Sequence, residues 1–259
     1  MKKSRRKLIT ALMLIIVAAT IVGTASYAWF TMNDRVNAGM DIEAVAAKNL
    51  VISKTSDGTY TTAVNFQDPD ATVALHPVST ANLKDWYIPE GDTGISYDTG
   101  AISDDTTFEK LTDLSEHVRS ATVYVKADMN ENDTPFTKVY VNNITVKRAA
   151  DTDEQSEITK ALRIGIVCGT TTLIFDYDDY NASTLVISSI DGDKKAVTTL
   201  RESDKLSVDD AVIATNVGDT PVEVQIFLWY EGQDEDCKSH NSIKVENVEV
   251  IVEFQGIRS

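Results

Sequence analysis

Pro221-Val-Glu-Val-Gln-Ile-Phe-Leu-Trp-Tyr230 is the stretch on which the fold turns. Val222, Val224, Ile226 and Leu228 recur at every second residue, the period of a strand that lays one face on a core. Val, Ile, Phe, Trp and Tyr are also the side chains that a pleated, half-buried surface accommodates best. The run predicts a strand, and the chain on both sides repeats the pattern. Downstream, Val245–Phe254 places Val245, Val248, Val250, Val252 and Phe254 in a closing strand. Upstream, Val208–Val217 reads as another, and Thr184–Ile190 and Lys195–Leu200 flank Asp191-Gly192, a hairpin signal.

Further toward the N-terminus, Ala161–Cys168 (ALRIGIVC) and Thr171–Tyr177 are strands broken by Gly169. Asp151–Lys160 is acidic and predicts a short helix. Ser120–Asp128 and Phe136–Lys147 alternate on either side of polar Met129–Thr134 and predict a second hairpin. Thr107–His117 suits a helical turn or two. Gln67–Thr107 holds three of the five prolines and little periodicity. It reads as a long surface excursion ordered by Trp86, Tyr87 and Ile88. Asn49–Ser53 and Thr59–Val64 flank Asp57-Gly58, another hairpin signal. Arg35–Ala47 reads as one strand carrying Val36, Met40, Ile42 and Val45. About ten short β runs with turns between them predict an all-β fold. The expected architecture is a jelly-roll-like antiparallel β-sandwich over residues 29–259, with a few short helical turns.

The first 31 residues differ from all of this. Lys2, Lys3, Arg5, Arg6 and Lys7 are followed by Leu8–Phe30, a run of 23 residues without a charge. A basic start, an apolar run and a small-residue exit make an export signal over residues 1–28. Ser26 and Ala28 fall at −3 and −1, which places the cut before Trp29. The alternative is an uncleaved anchor, since 23 residues at about 1.5 Å each can cross a hydrocarbon core of roughly 30 Å. Either way the partners of this segment are a signal peptidase and, before processing, the membrane. The expected location is extracellular or at the cell surface, by the secretory route.

The full chain carries 24 Lys and Arg against 40 Asp and Glu, a net charge of −16. All five basic residues of the signal lie outside the mature part, which makes that part more acidic still. Such a surface repels nucleic acid and anionic lipid, so neither is an expected partner. Two cysteines, Cys168 and Cys237, are candidates for one disulfide or for two buried thiols.

Chemistry-bearing motifs are few. Asp128-Met-Asn130-Glu-Asn132-Asp133 begins like a calcium loop. It lacks the Gly required at its sixth position (Asp133) and the Glu at its twelfth (Val139). The acidic corners at Asp176, Asp178 and Asp179 and at Asp234, Glu235 and Asp236 leave only adventitious calcium. His76, His117 and His240 form no metal motif. Cys237-Lys-Ser-His240 offers two ligands where zinc needs three or four. No nucleophile elbow or phosphate loop is present. The expectation is a non-enzyme with no catalytic, cofactor or metal residues. Trp229-Tyr-Glu231-Gly232 suggests a buried strand end, with Glu231 serving the backbone of the following turn.

Two stretches carry a resemblance. Thr24-Ala-Ser-Tyr-Ala-Trp-Phe-Thr31 resembles the signal exit of Gram-positive exported proteins processed by the SipW-type signal peptidase, the TasA/camelysin-like class. Leu228-Trp-Tyr-Glu-Gly-Gln-Asp-Glu-Asp-Cys237 resembles a segment of clostridial members, and Ala161-Leu-Arg-Ile-Gly165 fits a strand found there. The resemblance implies a jelly-roll fold and a biofilm-matrix or fibre subunit. Subunits of that class assemble by donating an extended N-terminus to the next sheet. The donor here would be Trp29 to about Gly39, with Trp29, Phe30, Val36 and Met40 as its plugs. The alternatives are a membrane-anchored surface adhesion module, binding through Gln67–Thr107, and a camelysin-like metallopeptidase. No zinc motif supports the last.

Overall fold

The computed structural model describes residues 40–47, 50–67, 75–89, 108–131, 133–148, 161–176, 183–185, 188–191, 195–198, 211–232, 237 and 248–258. The expected export segment, the helix expected at Asp151–Lys160 and the acidic corner at Asp234–Asp236 lie outside these residues. So do Trp29, Phe30, Val36 and His240.

Strands dominate. A five-stranded sheet contains β1 (Met40–Ala47), β3 (Ala63–Phe66), β8 (Phe136–Arg148), β14 (Val212–Val217) and β16 (Val248–Ile257), in the order β14-β8-β16-β1-β3. A six-stranded sheet contains β2 (Leu50–Ser53), β7 (Arg119–Ala127), β9 (Leu162–Cys168), β10 (Thr171–Asp176), β11 (Ser183–Leu185) and β15 (Val222–Tyr230). Its order is β11-β10-β9-β15-β7-β2. The two share one core. Val224, Ile226 and Leu228 of β15 meet the same cluster as Met40 and Ile42 of β1 and Val250, Val252 and Phe254 of β16. Each such side chain contributes about 1.5–3 kcal/mol by leaving water. The arrangement is sandwich-like, as the period-two runs require.

Pairing departs from the sequence reading in several places. β1 runs parallel to β16, with Met40 opposite Val248 and Ala47 opposite Gln255, so the sheet is mixed. Met40, Ile42, Ala44 and Ala46 face the core, while Val45 has the opposite parity. The stretches either side of Asp57-Gly58 touch at Ile52 and Thr61, with 2.8 Å backbone bonds in both directions. Their strands then part: β2 pairs with β7, and β3 pairs with β1. The expected Ser120–Lys147 hairpin is likewise absent, because β7 and β8 lie in different sheets. Alternation reports which face is buried and is silent about the partner. The hairpin across Gly169 does form: Cys168 pairs with Thr171, and Gly169 takes φ +58°, which an L side chain adopts only at a cost. β12 (Ser188–Asp191) and β13 (Lys195–Thr198) pair in the register a hairpin needs.

The excursion forms a third sheet from β4 (Ser79–Thr80), β5 (Trp86–Pro89) and β6 (Phe108–Leu111). Phe108–Leu111 is therefore strand where a helical turn was expected, and only residues 115–117 turn. Val78, Leu83, Trp86, Tyr87, Ile88 and Phe108 pack with Ile174 and Trp229 in a second core. Residues Ile174, Phe227 and Trp229 lie on the face of the six-stranded sheet opposite Ile226 and Leu228. That sheet is thus covered on both faces at β9, β10 and β15. The outer face of the five-stranded sheet carries Asp41, Glu43, Glu249 and Glu253, where the chain's acidity meets water.

Candidate functional site

The most organised polar cluster lies between the excursion and the six-stranded sheet. β15 ends at Tyr230, and the next residue, Glu231, is bridged in parallel to Val78. Val78 N–H donates to the Tyr230 carbonyl (3.1 Å), Gly232 N–H to the Val78 carbonyl (3.2 Å) and Glu231 N–H to the Ala161 carbonyl (2.8 Å). Glu231 is 2 % exposed. Its Oε1 accepts from the Ser79 hydroxyl, and its Oε2 from the Trp229 indole N–H at 3.2 Å. The carboxylate therefore takes side-chain donors from both layers, where the sequence suggested the backbone of the turn. Arg163, also 2 % exposed, pairs across the strands with Trp229 and so brings a positive charge to the same face. Its Nη1 donates to the Leu162 carbonyl at 3.1 Å. Buried charges persist only when hydrogen-bonded or compensated in this way.

Packing beside the cluster is equally specific. The Trp86 and Trp229 rings meet edge to face, with centroids 5.2 Å apart at 87°, a favoured aromatic geometry. Leu83 sits over Gly165 of β9, where an added Cβ would lie 2.6 Å from its Cδ1. The turn that delivers Leu83 holds it at φ +56°. Thr80 Oγ1 donates to the Asp85 carbonyl (2.7 Å) and accepts from Leu83 N–H (3.1 Å), while Asn82 Oδ1 accepts from Lys84 and Asp85. Asp85 pairs with Lys110 of β6. The turn bonds and the ion pair brace the excursion, and the Trp86–Trp229 and Leu83–Gly165 contacts join it to the six-stranded sheet. They also leave Trp86, Tyr87 and Ile88 buried against the sheet, not offered to solvent.

An open groove of about 480 Å³ lies at the other end of β9, lined among others by Cys168, Thr171, Ile213, Thr215 and Glu223. Burial and then nearby Glu223 push the Cys168 thiol's ionisation up, against thiolate chemistry. Cys168 and Cys237 are both buried, with no disulfide between them. The geometry gives the reason. Cys237 lies close enough to Tyr230 to act on its phenol, whose ionisation is raised by burial first and by Cys237 second. Tyr230 pairs with Leu162, the first residue of β9, whereas Cys168 is the last. Six residues of strand span roughly 20 Å, and a disulfide needs Cα atoms within about 7 Å.

Of the donor plugs expected from the sequence, Met40 is the one described. It opens β1 with its side chain in the chain's own core. The calcium-like Asp128–Asp133 stretch is a turn held by its own groups. Asp133 Oδ2 accepts from Asn130 N–H (2.8 Å), and Oδ1 meets Arg258 Nη1 (3.1 Å). The Asn130 backbone bond, and then Arg258, hold its carboxyl below the usual range. Among the described residues no three His, Cys, Asp or Glu converge on a metal position, and no helix is long and apolar enough to cross a membrane. No protein-family model matches the chain, and no curated protein matches it.

Proposed function

We propose that the chain is an exported structural protein of the cell surface or extracellular matrix, a fibre or biofilm-matrix subunit that assembles by β-strand addition. The observation that carries this reading is Met1–Thr31, with its basic start, uncharged run and Ser26-Tyr-Ala28 exit. Two structural features support it. Trp29–Gly39 joins the body at Met40, the first residue of a strand interior to its sheet. That sheet ends in β14 and β3, each paired on one side only among the described residues. Strand addition uses such unpaired rows of N–H and C=O groups. A jelly-roll-like order of the sandwich belongs to the same reading. Trp29, Phe30 and Val36 are then the side chains that enter the neighbouring subunit.

Intact mass of the secreted protein and electron microscopy test this together. The expected mass begins at Trp29, and the material is fibrous. A variant lacking Trp29–Gly39 is expected to stay folded and to form no fibres. Fibres from that variant would refute strand donation. A mature mass that retains residues 1–28 would replace it with an anchored surface module.

A further inference from the structure

We propose that His76 and His117 form a pH-operated latch that holds the excursion on the six-stranded sheet while the His117 ring is neutral and loosens it when that ring is protonated. The two residues sit where the excursion begins and ends. His76 lies in the link at residues 75–78 that enters β4, and His117 in the turn that leads into β7. Backbone joins the two crossings, since His76 N–H donates to the Glu116 carbonyl at 2.8 Å. The imidazole centroids are 5.7 Å apart at 45°. Two of the three histidines thus meet at the base of one substructure.

The His117 ring is half-buried, and its Nδ1 is buried with no hydrogen-bond partner among the described residues. The backbone of Pro77 and His76 hydrogen-bonds to the same ring. A neutral ring with a bare Nδ1 suits this setting. A protonated ring would bury an N–H that has no acceptor.

Burial, and then the charge of His76, hold the ionisation of His117 below the ordinary imidazole range. The Pro77 and His76 bonds and Glu116 act in the opposite direction without reversing the shift. Other charged groups nearby are already engaged. Asp113 accepts from Ser115 N–H at 3.0 Å and also attracts a charged His117, a pull against the latch that ranks last among the influences on Asp113, and Arg119 of β7 donates to the Ser115 carbonyl at 2.9 Å. On the β15 side, Glu231 is taken by Ser79 and Trp229. A group whose folded ionisation is depressed binds fewer protons when folded. The latch is therefore complete above about pH 6.5 and weakens as the pH falls through and below that value. Each pH unit of displacement changes the open-to-closed ratio about tenfold. The segments that loosen are those that flank the layer over Phe227 and Trp229.

Hydrogen exchange of the full chain at pH 7.5 and pH 5, corrected for intrinsic exchange, reads the latch directly. Protection of residues 75–89 and 108–118 is expected to fall in acid, while residues 224–228 keep theirs. His117→Gln keeps a side-chain N–H donor and cannot ionise, so it should flatten the pH response. His76→Gln removes a neighbour that helps to hold the His117 ionisation down, so it should shrink the response. Equal protection at both pH values, or a full response in His117→Gln, overturns the proposal. If His117→Gln does not fold, histidine NMR titration of the unaltered protein decides. A His117 ring that titrates at or above the ordinary imidazole value rules the latch out.

Discussion

Glu231 carries a carboxylate into a position that is 2 % exposed, and two donors make that tolerable. Ser79 comes from the excursion and Trp229 from β15, so the group bonds to both layers at once. Glu231→Gln keeps the shape and changes the logic. One of its two ends becomes an NH2 facing a donor, which leaves a buried group unsatisfied. The expected cost is about 1–3 kcal/mol, read as a lower denaturant midpoint with an unchanged slope. A loss below about 0.5 kcal/mol, the scatter of ordinary surface changes, would show that the carboxylate does not join the layers. The importance of this stretch was visible in Trp229-Tyr-Glu-Gly, because an acid beside a strongly apolar strand needs a partner. The partner itself was not visible. Ser79 is 152 positions away, and no local pattern connects the two. Gly165 gave a similar half-signal: a glycine inside a strand pattern points to a close approach, and here Leu83 is what approaches.

At the scale of elements, strands were legible and their partners were not. β15 follows the period-two reading of Val224, Ile226 and Leu228, and β16 follows that of Val248, Val250, Val252 and Phe254. The same alternation misled at β7 and β8, where a polar connection looked like a hairpin turn and instead crosses between sheets. One overlooked cue was the second parity of β15. Phe227 and Trp229 are as apolar as their neighbours, which is how a strand covered on both faces reads. The excursion is what covers them, through a cluster separate from the main core. Replacing residues 79–110 by a short Gly-Ser linker should therefore leave the two large sheets folded, with their strand signal in circular dichroism intact. It should also create binding of a hydrophobic dye at Ile174, Phe227 and Trp229. Stability is expected to fall by about 1.5–3 kcal/mol for each large side chain uncovered. Loss of the strand signal would mean that the excursion is integral to the sandwich.

Across the whole molecule, the described strands hold together by packing and backbone pairing without a covalent staple. The main core draws on both large sheets, from Met40 in β1 and Phe254 in β16 to Leu228 in β15. The earliest and latest described strands lie side by side in parallel. That pairing closes a loop of more than 200 residues, which local sequence patterns cannot announce. The cysteines follow the same principle. Their even number permits a bridge where the surroundings are oxidising, but they lie toward opposite ends of β9, a strand of roughly 20 Å, and each is buried as a thiol. The Cys168 thiol is further disfavoured from ionising by burial and by Glu223. Reductant should therefore leave the thermal midpoint of the folded protein unchanged. A thiol reagent should react slowly with the native chain and release two equivalents only after denaturation, at a rate set by opening of the core. A midpoint that falls with reductant, or fewer than two reactive thiols in the denatured chain, would show that a disulfide forms and that the β9 geometry does not hold.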